Sequence, residues 1–155
     1  MSSNINTENW MKDIGVLDHL SGVGEGSTSA ATKNITALVV DDDSVNQMIH
    51  SKILENLGIQ NQVVRNGKEA VDLHSSGNNF DLILMDMDMP VMNGIEATRK
   101  LRAMGVRSII AGVSTCTRDE LEQKEFMAAG LDDFQEKPLT TPKLVSILQK
   151  VNKKC

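Results

Sequence analysis

Residues Phe80 to Gly94 read FDLILMDMDMPVMNG, and this stretch decides the fold expected for the whole chain. Its first half is a short apolar run that stops abruptly on carboxylates, and Pro90 then turns the chain. An apolar run of strand length with charged side chains at its exit is typical of a buried parallel strand. Such a strand delivers Asp86 to the rim of a sheet, so Asp86 is the first candidate for chemistry.

Length, charge and cysteine content limit the classes of protein to which the chain can belong. At 155 residues with 40% hydrophobic content, it has the size of one compact domain with some surplus, and a monomer is expected. The net charge of −5 argues against partners such as nucleic acid or an anionic membrane, and no apolar run is long enough to span a bilayer. Cys116 and Cys155 form no metal or disulfide motif, which favours a reducing compartment, the cytoplasm or the nucleus.

The first 33 residues differ in composition from the rest of the chain. They are rich in Ser, Asn, Thr and Gly, as flexible linkers are. Apolar residues at helical spacing near positions 10–20 allow a short helix there. We therefore predict a flexible N-terminal extension over residues 1–33, a folded domain over residues 34–155, and no output domain.

From residue 34 onward, apolar runs of strand length alternate with stretches of helical periodicity. The predicted strands are Ile35–Val40, Gln60–Val64, Asp81–Met85, Val106–Val113 and Asp133–Glu136. The predicted helix starts are Ser44, Asn66, Asn93, Thr117 and, for the last helix, a position near Pro142. Five strands alternating with five helices predict an α/β fold with a doubly wound parallel sheet.

Periodicity also predicts which helical side chains are buried. The apolar residues of the first helix that share one predicted core face are Val45, Met48, Ile49, Leu54 and Leu57. His50 and His74 lie in predicted helices away from the strand ends and lack a second ligand at metal spacing, so surface or helix roles are predicted for both. The basic residues Arg99, Lys100 and Arg102 are predicted to form a solvated face of the third helix.

In a doubly wound sheet the ligand site lies outside the carboxyl ends of the strands, where the strand order reverses. The residues at these ends are Asp41, Asp42 and Asp43 after the first strand, Asp86 and Asp88 after the third, Ser114 and Thr115 after the fourth, and Lys137 and Pro138 after the fifth. Carboxylates from adjacent strands need a counter-charge, so the cluster implies a hard cation, Mg²⁺ with Mn²⁺ as a substitute. A lysine and a hydroxyl group beside it would bind phosphoryl oxygens, which indicates phosphoryl transfer to a carboxylate.

Four motifs in this order resemble the receiver domain of two-component response regulators over about residues 35–150. They are LVVDDDSVNQ, LILMDMDMPVMNG, the Ser114 and Thr115 pair after IIAGV, and FQEKPL. The resemblance implies a flavodoxin-like receiver fold, in which a five-stranded parallel sheet of order 2-1-3-4-5 is flanked by five helices. The stretches EAVDLH, FMAAGLDDF and EKPL are most similar to stand-alone plant receivers of the type-C group, which work in cytokinin-type phosphorelays.

The resemblance implies a chemical role for each matched residue. Asp86 would be the phosphoacceptor, and Ser114 would hydrogen-bond the phosphoryl group. Lys137 would pair with that group, ahead of a cis bond to Pro138. The implied metal ligands are Asp42 and Asp86 directly, Asp41 through water, and Asp88 through its backbone carbonyl.

Further residues would shape or tune the site. The resemblance implies that Pro90 and Gly94 shape the loop that carries the acceptor. Asp43, next to the matched acidic pair, is expected to be a solvated loop acid. In the family, the positions matched by Asp88 and Cys116 flank the route by which water attacks the acyl phosphate, so the resemblance implies that both would tune its hydrolysis.

Phe134 falls where the family has its switch aromatic. In the family, phosphorylation draws the hydroxyl residue inward, here Ser114, and the aromatic ring rotates into the vacated space. Thr115 is expected to be a bystander to Ser114. Phe134 has no phenol group, so a switch at this position would rest on packing alone.

Three functional hypotheses follow. The first is a receiver that takes a phosphoryl group from a histidine phosphotransfer protein, itself supplied by hybrid histidine kinases, and loses it by hydrolysis as a phosphoryl sink. The second is a protein-binding module switched by a long-lived acyl phosphate. The third is a phosphatase of the haloacid-dehalogenase type, because Asp86 and Asp88 also fit a nucleophile and an acid two residues apart.

Overall fold

The computed structural model describes residues 35–115 and 120–154, with the backbone alone for residues 152–154. The predicted N-terminal extension and its short helix, the helix start at Thr117, and Cys116 lie outside the described residues. None of the helices in the described part of the chain is long and apolar enough to cross a membrane.

Five parallel strands and five helices alternate along the described chain. The strands are β1 (Thr36–Val40), β2 (Gln60–Val64), β3 (Leu82–Asp86), β4 (Ile109–Ser114) and β5 (Asp133–Glu136). The helices are α1 (Ser44–Asn56), α2 (Gly67–Ser75), α3 (Gly94–Ala103), α4 (Glu120–Ala128) and α5 (Thr141–Lys154). The sheet order is β2-β1-β3-β4-β5, which confirms the predicted fold.

The strands separate two apolar cores because successive side chains point to opposite faces of the sheet. On one face, Ala37 and Val39 of β1 pack with apolar residues of α1 and α5. On the other face, Leu38 and Val40 pack with apolar residues of α2, α3 and α4. β3 is buried along its whole length, as expected for a strand covered by helices on both sides.

Four of the described helices begin on side chains that accept a hydrogen bond from a backbone N–H of the first turn, and for α5 this side chain is Thr140, which accepts from the N–H of Lys143. Asn66 and Asn93 cap α2 and α3 as predicted, by accepting from the N–H groups of Glu69 and Glu96. The predicted cap at Ser44 is wrong by one residue, because Asp43 is the N-cap of α1 and accepts from the N–H of Val45. Asp43 is exposed, as predicted, but it also fixes where α1 begins.

Several helical side chains lie differently from the predicted pattern. Val45 and Met48 are 55% and 65% exposed, so the predicted core face of α1 is wrong at these two positions. His50 and His74 lie in helices, which is one of the two roles predicted for them, but the surface alternative is wrong because both side chains are buried. Nδ1 of His74 lies 2.8 Å from the Ala70 carbonyl oxygen, so this ring nitrogen has a hydrogen-bond partner although the side chain is buried.

Arg102 does not belong to a solvated face. Its guanidinium donates to the carbonyl oxygens of Val106, Ser108 and Gly130, and it forms a 2.7 Å ion pair with Asp132. These contacts join the end of α3 to the turn between α4 and β5. A planar guanidinium has five donors in a fixed geometry, which suits it to such a junction.

Phe126 packs its ring against two glycines close to the carboxyl edge of the sheet. A Cβ atom added to Gly112 would lie 2.7 Å from Cε2 of Phe126, and one added to Gly94 would lie 2.9 Å from Cζ. Phe126 also meets Phe134 edge-on, with ring centroids 6.0 Å apart. The loop between Asp86 and Gly94, β4 and β5 are therefore packed through one buried aromatic ring.

Substituting Gly94 by alanine is expected to lower the free energy of unfolding by about 3 kcal/mol or more. The new methyl group would overlap the carbonyl oxygen of Asp86 and the ring of Phe126, and the backbone partner cannot rotate away. Urea denaturation measures the change. Gly77→Ala is the matched control: it is strained by its φ of +99° but meets no atom within 4 Å, and a loss of only about 1–2 kcal/mol is expected. Equal losses in the two variants would contradict the packing argument.

Candidate functional site

The acidic residues lie at the carboxyl edge of the sheet, where the strand order reverses between β1 and β3. Asp41 directly follows β1, and Asp86 is the last residue of β3. Val40 and Met85 are paired neighbours in the two strands, so the residue after each of them lies at the same edge. This is the position at which a doubly wound sheet binds its ligand.

A cleft of about 160 Å³ opens at this edge. Its lining residues are Asp41, Asp42, Asp43, Asn46, Asp86, Asp88, Thr115 and Lys137. Most of these are residues that the sequence predicts at the strand ends. Residues at the carboxyl ends of four of the five strands, β1, β3, β4 and β5, line the cleft. Ser114 is buried and lies next to the cleft, whereas its neighbour Thr115 is exposed and lines it.

Lys137 reaches back from the end of β5 and lies between two carboxylates. Its ammonium group is 2.9 Å from Oδ2 of Asp41 and 3.0 Å from Oδ1 of Asp86. The three side chains are only 7%, 1% and 6% exposed, in that order. A buried charge is tolerated when it is paired and hydrogen-bonded, and here each charged group has such a partner.

Burial raises the pKa of Asp86 to about 6, because the ionised carboxylate loses hydration. The hydrogen bond and the charge of Lys137 act in the opposite direction, while Asp41 and Asp42 add to the rise. For Lys137, burial disfavours the ammonium form, but the hydrogen bonds to Asp41 and Asp86 outweigh it and raise the pKa. The cluster therefore carries excess negative charge when all of its carboxyl groups are ionised.

Asp41, Asp42 and Asp86 provide a set of oxygen ligands that fits a hard divalent cation. Carboxylate oxygens of the three residues all lie within 4.8 Å of one another. Asp42 is exposed while the other two are buried, so an ion bound here would keep part of its water shell. The donor set contains oxygen alone, which suits Mg²⁺ or Mn²⁺ better than zinc or copper.

Backbone and amide groups hold the acidic turn in place. Oδ1 of Asp41 accepts from the N–H of Asp43 at 2.9 Å, and the carbonyl oxygen of Asp41 accepts from the side-chain amide of Gln47 at 2.6 Å. Gln47 and the cleft residue Asn46 both lie in the first turn of α1, and the sequence reasoning assigned neither to the site. Their only sequence signal is that they follow the acids within one helical turn.

The loop after Asp86 is tied to the sheet at its start, and its end is bonded back to its first residue. The N–H of Met87 donates to the carbonyl oxygen of Val113 in β4, and the N–H of Gly94 donates back to the carbonyl oxygen of Met87. Between them, Val91 has a φ of +70°, and a hydrogen bond spans it from the N–H of Met92 to the carbonyl oxygen of Pro90. This is a γ-turn, a strained conformation for a β-branched residue.

The end of β5 completes the site. The N–H of Lys137 donates to the carbonyl oxygen of Ser114 at 2.7 Å, so β4 and β5 stay paired up to the cleft. The Lys137–Pro138 bond is cis, as the resemblance implies. Phe134 is half-buried and lies three residues before Lys137, packed against Phe126.

Protonation of His50 is expected to destabilise the fold. Burial lowers the pKa of His50 to about 4; the charge of Asp41 opposes this effect and that of Lys137 adds to it. The unfolded chain keeps the ordinary value near 6.5, so the stability from a neutral His50 is present above that pH and is lost as the pH falls toward 4. In EDTA, the difference in unfolding free energy between wild type and His50→Gln should fall by about 2 kcal/mol from pH 7 to pH 5.

Comparing wild type with His50→Gln removes the contributions to pH-dependent stability that both proteins share. Asp86 acts in the opposite direction, because its folded pKa of about 6 lies above the ordinary 3.8, and acidification through this range therefore adds stability. This contribution is the same in wild type and in His50→Gln and cancels in the difference. A difference that stays constant between pH 7 and pH 5 would contradict the prediction.

Known proteins share both the sequence and the fold. Residues 37–149 match the family described as the response regulator receiver domain. Two-component response regulator 24 of Arabidopsis thaliana is 64% identical over 130 residues, which cover 84% of this chain and 93% of that protein.

Two solved structures have the same architecture. One is the receiver domain of sensor histidine kinase PA1611 from Pseudomonas aeruginosa PAO1, which was solved with a magnesium ion in its active-site cleft. It is 31% identical in sequence with a TM-score of 0.70, and the match covers 78% of this chain and 99% of that domain. The receiver domain of Ssk1, co-crystallised with the histidine phosphotransfer protein Ypd1 of Saccharomyces cerevisiae, is 26% identical with a TM-score of 0.70 and covers 77% and 90%. With its parallel sheet of order β2-β1-β3-β4-β5 and a match over residues 37–149, the chain belongs to the response regulator receiver domain family.

Proposed function

We propose that this chain accepts a phosphoryl group on Asp86 from the phosphohistidine of a histidine phosphotransfer protein, with Mg²⁺ bound, and then loses it by hydrolysis. The observation that carries the proposal is the buried cluster in which Lys137 bridges Asp41 and Asp86 beside a cleft lined with acids. The chain would thereby act as a phosphoryl sink in a cytokinin-type phosphorelay, downstream of hybrid histidine kinases.

The chemistry is a transfer between two nucleophiles. A carboxylate oxygen of Asp86 attacks phosphorus, the bond from phosphorus to the histidine nitrogen breaks, and the imidazole leaves and takes up a proton. Lys137 already holds Oδ1 of Asp86, which leaves Oδ2 as the attacking atom. The ammonium group then lies beside the new phosphoryl oxygens and stabilises their charge. Water completes the cycle by attacking phosphorus, which restores the carboxylate and releases inorganic phosphate.

The acidic cluster would hold the cation that this reaction needs. Asp42 and Asp86 are proposed as direct ligands, Asp41 as a ligand through water, and Asp88 as a ligand through its backbone carbonyl. When bound, Mg²⁺ or Mn²⁺ supplies positive charge to the phosphoryl oxygens. The fit of three carboxylates within 4.8 Å supports this assignment.

Ser114 and Phe134 are proposed to report the phosphorylated state to the surface. The backbone of Ser114 is joined to Lys137, and Phe134 packs edge-on against Phe126. Movement of the Ser114 hydroxyl toward a phosphoryl group would leave space into which the Phe134 ring would rotate. Asp88 lines the cleft and, with Cys116, is proposed to tune the access of water.

The surface around the cleft supports a protein as the donor. Val45 and Met48 are exposed apolar residues on the first two turns of α1, beside Asn46, which lines the cleft. The receiver of Ssk1 binds a histidine phosphotransfer protein in its co-crystal structure. A partner of this kind would cover Val45 and Met48 while it presents its phosphohistidine to Asp86. We further propose that the chain works as a monomer in the cytoplasm.

Incubation with a phosphorylated histidine phosphotransfer protein and Mg²⁺ is expected to move the phosphoryl group onto the chain. Asp86→Asn should abolish the transfer, because an amide is not a nucleophile toward phosphorus. Phosphate-affinity gel electrophoresis follows the acyl phosphate and its decay. A sink requires a half-life of minutes or less.

Other outcomes of this experiment support other functions. A half-life of many hours would favour the long-lived, protein-binding state instead of the sink. A phosphoryl signal that survives in Asp86→Asn would refute the assignment of the acceptor. Turnover of a generic phosphatase substrate would favour the haloacid-dehalogenase alternative, to which the family match lends no support.

Met48→Ser is expected to raise the concentration of the phosphorylated donor protein needed for half-maximal transfer by about fivefold, since an apolar anchor in an interface contributes roughly 1 kcal/mol or more. Transfer from the small donor phosphoramidate should not change. Met104→Ser is the matched control: Met104 is also exposed, but it ends α3 at the opposite edge of the sheet. An equal effect of both substitutions would argue against docking on α1.

A further inference from the structure

The loop from β5 into α5 positions the ammonium group of Lys137, and a second lysine holds this loop. Nζ of Lys143 donates to the carbonyl oxygen of Glu136 at 2.7 Å and to that of Pro138 at 3.3 Å. These two carbonyl groups flank Lys137 on either side along the chain. Lys143 thus bonds to both neighbours of the residue that bridges Asp41 and Asp86.

The backbone of Lys137 has a further anchor from the sheet. Its N–H donates to the carbonyl oxygen of Ser114 at 2.7 Å. This bond fixes the chain on the β4 side, whereas the two carbonyl groups bound by Lys143 belong to the segment that leaves the sheet toward α5. Between these anchors, the backbone from which the Lys137 side chain extends to the cluster is held on both sides.

Lys143 occupies a place that the helix itself disfavours. It is the third residue of α5, and the first turn of a helix carries partial positive charge that repels a cation. The described first turn of α5 has no acidic residue to offset this repulsion. The cost of placing a cation there is expected to be offset by favourable contacts. The hydrogen bonds from Lys143 to the carbonyl oxygens of Glu136 and Pro138 are such contacts.

We propose that Lys143 is a positioning residue for Lys137: it acts through the backbone of residues 136–138 and sets where the Lys137 ammonium group meets the phosphoryl group. The inference rests on the proposed function of Asp86 as acceptor. Lys143 itself touches no reacting atom, so its loss should reduce the rate of the chemical step and leave cation binding by the acidic cluster unchanged.

The test measures phosphorylation by phosphoramidate in wild type, Lys143→Gln, Lys143→Arg and the control Lys150→Gln. Lys150 is exposed later in the same helix, away from the loop. Lys143→Gln should lower the maximal rate about three- to tenfold, since small displacements of a catalytic group cost rate, while the half-saturating Mg²⁺ concentration stays the same. Lys143→Arg keeps a cationic donor and should restore most of the rate. Lys150→Gln should behave as wild type.

A second readout separates this inference from the proposed function. Beryllium trifluoride, added with Mg²⁺, mimics a phosphoryl group in the same cluster without any transfer reaction, and fluorine NMR measures its binding. Lys143→Gln should bind beryllium trifluoride about three- to tenfold more weakly than wild type. If wild type takes up no phosphoryl group, the proposed function fails, and the fluoride arm still decides the role of Lys143. Lys143→Gln with wild-type rate and wild-type fluoride binding, or a loss that Lys143→Arg does not restore, would overturn the inference.

Discussion

The site depends on one buried ammonium group. Lys137 lies between Asp41 and Asp86, and each of the three charges is tolerated in the interior because the others are there. Two carboxylates and one ammonium leave a net negative charge, and Asp42 adds to it at the exposed side of the cleft. Burial raises the pKa of Asp86, the charges of Asp41 and Asp42 add to this rise, and the excess negative charge suits a divalent cation.

Crowded carboxylates oppose folding, and the rest of the domain offsets that cost. β3 carries Asp86 at its end but is otherwise apolar and buried, with one core on each side of the sheet. Phe126 fills the space that Gly94 and Gly112 leave, so β4 and the loop that follows Asp86 are packed against a single ring. Phe134 belongs to the same packed group through its edge-on contact with Phe126.

The predictions from sequence that failed share a physical cause. Val45 and Met48 have apolar side chains at helical spacing, but exposure depends on how α1 is rotated on the sheet, which the spacing does not specify. A surface or helix role was predicted for His50 and a solvated face for Arg102, yet the surroundings bury His50 and give Arg102 four oxygen partners. Such residues depend on partners from distant parts of the chain, which a local pattern does not contain.

The sequence by itself determined the order of elements, the parallel sheet and the strand ends at which Asp41, Asp86 and Lys137 lie, because hydrophobic periodicity and turn residues act over short distances. Only the tertiary structure decided that Lys137 bridges two carboxylates from separate strands, that Asn46 lines the cleft, and that Lys143 bonds to both neighbours of Lys137. These facts arise from the crossing of elements that are far apart along the chain. Hydrogen-bond and ion-pair geometry exists only after the sheet has brought its carboxyl ends together.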